Sequence, residues 1–178
     1  MRHALIRHPD FPCAAVTGIT VAVSRERGRL SLDYIAQGKI GDVWVPLGAE
    51  PLRTNALWKH TCLEAFVRPA GGAGYCELNL APSGQWAAYL FDDTRAGMRD
   101  AAVAAPPITM GVTDAKLWLR AQVMLDALAG FADAPWQVGV TAVIEETNGR
   151  RSYWSLRHAA GRPDFHHSDG FALEIPAA

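Results

Sequence analysis

The stretch "LWKHTCLEAFVRPAGGAGYCELNLAPSGQWAAYLFDDTRAGM", Leu57 to Met98, decides the fold. It holds three short runs, Thr61–Arg68, Tyr75–Ala81 and Trp86–Phe91, divided by the turn formers "RPAGGAG" and "APSGQ". Side chains on a strand point to opposite sides in turn. One face of the first run is therefore Thr61, Leu63, Ala65 and Val67, and the other is Cys62, Glu64, Phe66 and Arg68. The second run divides into Cys76, Leu78 and Leu80 against Tyr75, Glu77 and Asn79. Two strands that each bury an aliphatic face thus carry their carboxylates on the outer face of a sheet.

The same grammar extends in both directions. Strand-like runs cover Ala4–Arg7, Gly18–Glu26, Arg29–Gln37, Lys116–Leu125, Gln137–Glu145, Ser152–His158 and Phe171–Ile175. "ERGR", "ETNGRR" and "AAGRPD" read as turns, and Asn-Gly in "ETNGRR" is a strong two-residue hairpin signal. One helical stretch fits Asp92–Val103, ended by "AAPP". Strands dominate, and no strand–helix–strand rhythm or internal repeat is present. The pattern predicts an all-β fold, a two-sheet antiparallel β-sandwich of roughly ten strands in a single domain over residues 1–178.

Composition narrows the function. Seventeen basic and 18 acidic residues leave a formal charge of −1, which gives no electrostatic reason to expect nucleic acid or an anionic membrane as partner. No apolar run is long enough to cross a bilayer as a helix, and the apolar run in "MRHALIRHPDFPC" is too short for a signal peptide. A cytoplasmic protein is expected. Cys13, Cys62 and Cys76 lack CxxC spacing, which argues for buried free thiols over a disulfide framework or a zinc site.

The outer faces carry the chemistry. In Lys116–Leu125 the apolar side is Leu117, Leu119, Ala121, Val123 and Leu125, against Trp118, Arg120, Gln122 and Met124. A face that joins flat rings to planar polar groups suits a small polar ligand. A sugar needs aromatic planes for its C–H faces and Asn, Gln, Glu or Arg for its hydroxyls. Glu64, Glu77, Asn79, Arg120 and Gln122 supply the polar groups, and Trp58, Trp86 and Trp118 the planes. The structural alternative is a sheet covered by loops, with Arg120 a buried ion-pair partner of Glu64 or Glu77.

Other readings are weaker. Glu64 and Glu77 could form an acid/base pair for glycoside hydrolysis, but the residues give no sign of a raised pKa on either. His60 and Cys62 share a strand face without a third orienting group. "RPDFHHSD", Arg162–Asp169, lacks metal-ligand spacing and reads as a loop capping one end of the sandwich. "PAGGAG" precedes no helix and reads as a hairpin loop.

"LWKHTCLEAFV", "YCELNLAPSGQWAAYLFDDTRAGM" and "YWSLRHAAGRPDFHHSDGFAL" together resemble the bacterial DOMON-like domains, relatives of the family-nine carbohydrate-binding modules and of DOMON haem- and sugar-binding domains. The E-x-N-x-x-P-S-G-x-W-x-x-Y-x-F block is the specific part. The resemblance implies a β-sandwich and a non-catalytic pocket, with Trp58, Glu64, Glu77, Asn79 and Trp86 on motif positions; Trp118, Arg120 and Gln122 come from alternation alone. A non-enzymatic module binding a sugar or sugar-like ligand, with no cofactor, is the first expectation. The second is a haem-binding module ligated by a Met/His pair drawn from Met98, Met110, Met124, His158 and His166. The third is a scaffold docking a protein partner through an aromatic face. Oligomeric state is not readable.

Overall fold

The structure, a computed structural model, describes every residue except Leu47, Ala49 and Ala178. The described residues form twelve strands: β1 Arg2–Arg7, β2 Val16–Glu26, β3 Arg29–Gly38, β4 Cys62–Pro69, β5 Tyr75–Leu80, β6 Trp86–Phe91, β7 Arg99–Asp100, β8 Ile108–Thr113, β9 Lys116–Met124, β10 Trp136–Glu145, β11 Arg151–Ser155 and β12 Leu173–Ile175. Every pair is antiparallel. The hydrogen-bonded order is β7-β6-β5-β4-β10-β11-β1-β2-β3-β9-β8, and β12 lies beside β10 at Trp136–Val138, beyond the part of β10 that β11 covers.

Two separate sheets are therefore not what forms. Arg2–Leu5 of β1 pair with β2, whereas Ile6 and Arg7 pair with Ser155 and Trp154 of β11. One strand serves both halves, and a single curled sheet of twelve strands results where two sheets of about ten strands were expected. Its arms, β4–β7 with β10–β12 on one side and β2, β3, β8 and β9 on the other, share one core. Leu63, Ala65, Val67, Leu78 and Leu80 pack within the same cluster as Leu30, Leu32, Leu117, Leu119 and Val123. Each fully buried Leu contributes about 1.5–3 kcal/mol. Tyr34 of β3 crosses this core and donates its hydroxyl to the Glu64 carbonyl at 2.5 Å.

Turn chemistry explains where expectation and structure part. "ERGR" is a two-residue hairpin with Arg27 and Gly28 both at positive φ. "ETNGRR" is a longer one: Glu146 donates to the Arg150 carbonyl, and Gly149, at φ +83°, closes residues 147–149. No helix forms over Asp92–Val103. Asp92 donates to the Ala96 carbonyl and Ala96 to that of Asp93, so Asp, Thr and Gly fold "DDTRAG" into a turn that feeds β7. β8 follows directly on "AAPP", where Pro and Gly mask its strand pattern.

The outer face of the first arm is not solvated. The segment before β4 and residues 156–172 lie over it and seal a second apolar cluster of Leu57, Cys62, Phe66, Tyr75, Ala87, Tyr89, Phe91 and Phe171.

Candidate ligand site

Alternation along four neighbouring strands builds the floor of a cavity. Glu64 on β4 stands opposite Asn79 of β5 and Thr141 of β10, and Phe66 stands opposite Glu77. Val143 of β10 pairs with Tyr153 of β11. Above this floor, between sheet and covering segments, lies a cavity of about 420 Å³. Trp58, Phe66, Phe91, Tyr153 and Phe165 give it aromatic walls, Glu64 and Glu77 its carboxyls, and Lys59, Arg95, Arg151, Met98 and His166 complete the lining. The volume falls in the range of roughly 300–1,000 Å³ typical of small-molecule sites.

Both carboxyls are buried, Glu64 at 2% exposure and Glu77 at 5%. Thr141 donates its hydroxyl to Glu64 Oε2 at 3.0 Å, while Glu64 Oε1 is buried without a partner among the described residues. Burial, reinforced by the neighbouring Glu77, pushes the Glu64 pKa up to about 8, so the group is protonated at neutral pH. Burial also raises the Glu77 pKa, opposed by the Asn79 side chain, which donates to Glu77 Oε1 at 2.7 Å. Asn79 is itself fully buried and accepts from the Cys62 thiol at 3.7 Å. It positions Glu77 without lining the cavity.

The covering segment is latched to the floor. The Tyr75 hydroxyl accepts the Arg95 amide at 3.2 Å and meets His166 Nδ1 at 2.6 Å. This assigns the Tyr75 proton to Nδ1 and the imidazole proton to Nε2, which faces Glu77 Oε2 from 3.7 Å, beyond hydrogen-bond reach. Burial, then the Arg95 charge, holds the His166 pKa down to about 4, so the ring is neutral. Arg95, at φ +55°, pairs with Asp164 at 2.7 Å and ties the turn after β6 to the cover.

The sequence-derived site residues divide accordingly. Glu64, Glu77 and Trp58 meet at the cavity, with Asn79 behind Glu77. Trp86 does not join them: it lies in the core cluster, with the Arg53 guanidinium 4.6 Å from its ring centroid. Trp118, Arg120 and Gln122 lie on β9, on the outer side of the opposite arm. Arg120 pairs with Asp33 at 3.4 Å and so is no partner of Glu64 or Glu77. The Trp118 ring covers Gly111 of β8, where an added Cβ would approach it to 2.5 Å. "RPDFHHSD" is no mere end cap, since Pro163, Phe165 and His166 line the cavity. Tyr153, Arg95 and Arg151 also went unforeseen; the outward phase of "RSYWS" was the available signal for Tyr153 and Arg151.

No protein-family model matches the chain, and no curated protein matches it. Solved structures do. A protein of Bacteroides uniformis, provisionally named as carbohydrate-binding, superposes with a TM-score of 0.66 at 13% identity, over 96% of this chain and 83% of that one. A family-nine carbohydrate-binding module from Caldicellulosiruptor kristjanssonii in complex with glucose gives 0.51 at 8% identity, over 97% and 83%. The same kind of module in complex with cellotriose gives 0.50 at 8% identity, over 88% and 74%. At these identities the likeness is one of fold: the chain has the all-β architecture of carbohydrate-binding proteins.

Proposed function

We propose that the chain is a non-catalytic module that binds a small polyhydroxylated ligand, a sugar, in the cavity over β4 and β5. The observation that carries this is the buried, unpartnered Glu64 oxygen in a cavity walled by five aromatic rings. A buried polar atom without a partner costs about 1–3 kcal/mol, and a ligand hydroxyl would supply the missing hydrogen bond. The rings offer planes for C–H faces. The glucose and cellotriose complexes of the fold's family-nine relatives support the same ligand class. We read the curled sheet as the sandwich of that family joined along one edge by β1, and the sequence block from Glu77 to Phe91 as its DOMON-like form. The three unpaired thiols accord with a reducing, cytoplasmic setting.

The residues suit a haem less well. Met98 and His166 both line the cavity, but His166 has Nδ1 engaged by Tyr75 and Nε2 facing a carboxyl. Saturation-transfer NMR against a panel of monosaccharides tests the proposal, with Phe165→Ala as the control that removes a wall. Saturation of one sugar by the parent and not by the variant is expected. Silence across the panel, with a Soret band in the purified protein or a mass that grows with concentration, would replace it by the haem or scaffold reading.

A further inference from the structure

The floor of the cavity has carboxyls but no cation of its own. Two acidic side chains sit close together on adjacent strands, both nearly inaccessible, and one has an oxygen with no hydrogen-bond partner. The charged groups around them are otherwise engaged. Arg95, on the turn after β6, is held by Asp164 at 2.7 Å, and Arg151, on β11, by Glu145 at 3.4 Å. His166, from the cover, is neutral, and Lys59 at the mouth is exposed and forms no ion pair among the described residues. Beneath the floor, Tyr34 reaches the Glu64 backbone carbonyl; on the outer face, beside Glu64, the Cys62 thiol is held protonated by burial.

A neutral hydroxyl would partner the free Glu64 oxygen but bring the two carboxyls no counter-charge. A positively charged nitrogen would satisfy it fully. It would donate to the Glu64 and Glu77 oxygens in charge-assisted hydrogen bonds, and the faces of Phe66, Phe91, Tyr153 and Phe165 would receive its charge. We infer that the ligand of this cavity carries a protonated amine, seated between Glu64 and Glu77, on a polyhydroxylated ring of the amino-sugar class. The inference rests on the ligand-site reading above and adds the ammonium group to it.

Binding then ionises Glu64. Its proton leaves to solvent as the ammonium arrives, so uptake of the amine releases a proton in the pH window between the free value of about 8 and the lower pKa that Glu64 takes beside the bound ammonium. The neutral hydroxylated analogue has no such effect.

Calorimetry with glucosamine, glucose and tetramethylammonium, in two buffers of different ionisation enthalpy near pH 6.5, separates the possibilities. Glucosamine is expected to bind about 10-fold or more tighter than glucose, with proton release, and Glu64→Gln and Glu77→Gln should each erase the preference. Glu64→Gln keeps the shape of the protonated side chain, and a circular dichroism spectrum matching the parent's confirms that it folds. Equal binding of glucose and glucosamine would overturn the ammonium site and leave a sugar module. Binding of tetramethylammonium and glucosamine but no glucose would sustain the ammonium site and weaken the neutral-sugar reading. Absence of binding by all three at about 10 mM, a level that detects even millimolar affinity, would remove both.

Discussion

Glu64 is where fold and function oppose each other. Its carboxyl is protonated in the folded chain at pH values where the unfolded chain would ionise it. A carboxyl whose folded pKa is raised contributes stability that is complete below its unfolded value of 4.5 and is lost as pH rises through the folded value of about 8. Across that window the parent should lose on the order of 3–5 kcal/mol of stability, a span set by the shift of this fully buried group. Urea denaturation at intervals from pH 4.5 to 8 measures the slope, and Glu64→Gln should flatten most of it, leaving the smaller part due to Glu77. A variant with the parent's slope would move the cause elsewhere. That Glu64, Glu77 and Asn79 face away from the core was legible from alternation. Trp118, Arg120 and Gln122 show the limit of that reasoning: period two separates inside from outside but says nothing of which arm a strand joins. Trp86 failed for another reason, since a motif position fixes a residue and not the face on which its ring lies.

At the scale of elements, the hairpins were the most legible feature because their chemistry is local. "APSGQ" closes β5 onto β6 as expected: Gly84 donates to the Ala81 carbonyl, Ala81 to that of Gln85, and Gly84 sits at φ +89°. Its side is open, with Pro51 no closer than 3.9 Å to an added Cβ, so a substitution there tests backbone conformation alone. Gly84→Val should cost about 1–3 kcal/mol in a urea midpoint shift, the price of a branched residue in the left-handed region. The covering segment was far less legible, because a loop held by Phe165, His166 and Phe171 has no periodicity to reveal what it lies against. Gly139 marks the contact from the other side. It stands on the outer face of β10, and a Cβ there would come within 2.8 Å of the Gly170 carbonyl. Gly139→Ala should therefore lift residues 165–171 from the sheet. Amide exchange over that stretch should accelerate while β10 stays protected, and sugar binding should weaken with it. Unchanged exchange there would show that the cover does not depend on this approach.

The whole molecule has two apolar layers of unequal tenure on the two faces of one arm. The core between the arms is bounded by long hydrogen-bonded ladders and is crossed by Tyr34. The outer layer is closed largely by loop segments and a few latches, among them Arg95–Asp164 and Tyr75–His166. Segments with few ladder bonds open at lower free energy than the sheet beneath them. The expected two-sheet sandwich contained the first layer, and the second entered only through the alternative of a loop-covered sheet, because strand patterns do not record which segment does the covering. The three thiols sample this hierarchy. Cys76 points into the core and Cys62 into the outer layer, both fully buried, while Cys13 is partly exposed. Their opposite orientation on neighbouring strands was legible from alternation, and it forbids a disulfide between them. Burial raises the pKa of both buried thiols, so each is alkylated only after its layer opens. Native-state alkylation, followed by peptide mass and normalised to the rate of each cysteine in the unfolded chain, should modify Cys13 first, Cys62 next and Cys76 last. Ligand in the cavity should slow Cys62 and leave Cys13 unchanged, because a ligand held between floor and cover opposes the opening that exposes Cys62. Simultaneous modification of Cys62 and Cys76 would mean that cover and core open as one unit, and a ligand would then enter past the exposed Lys59 without any movement of the cover.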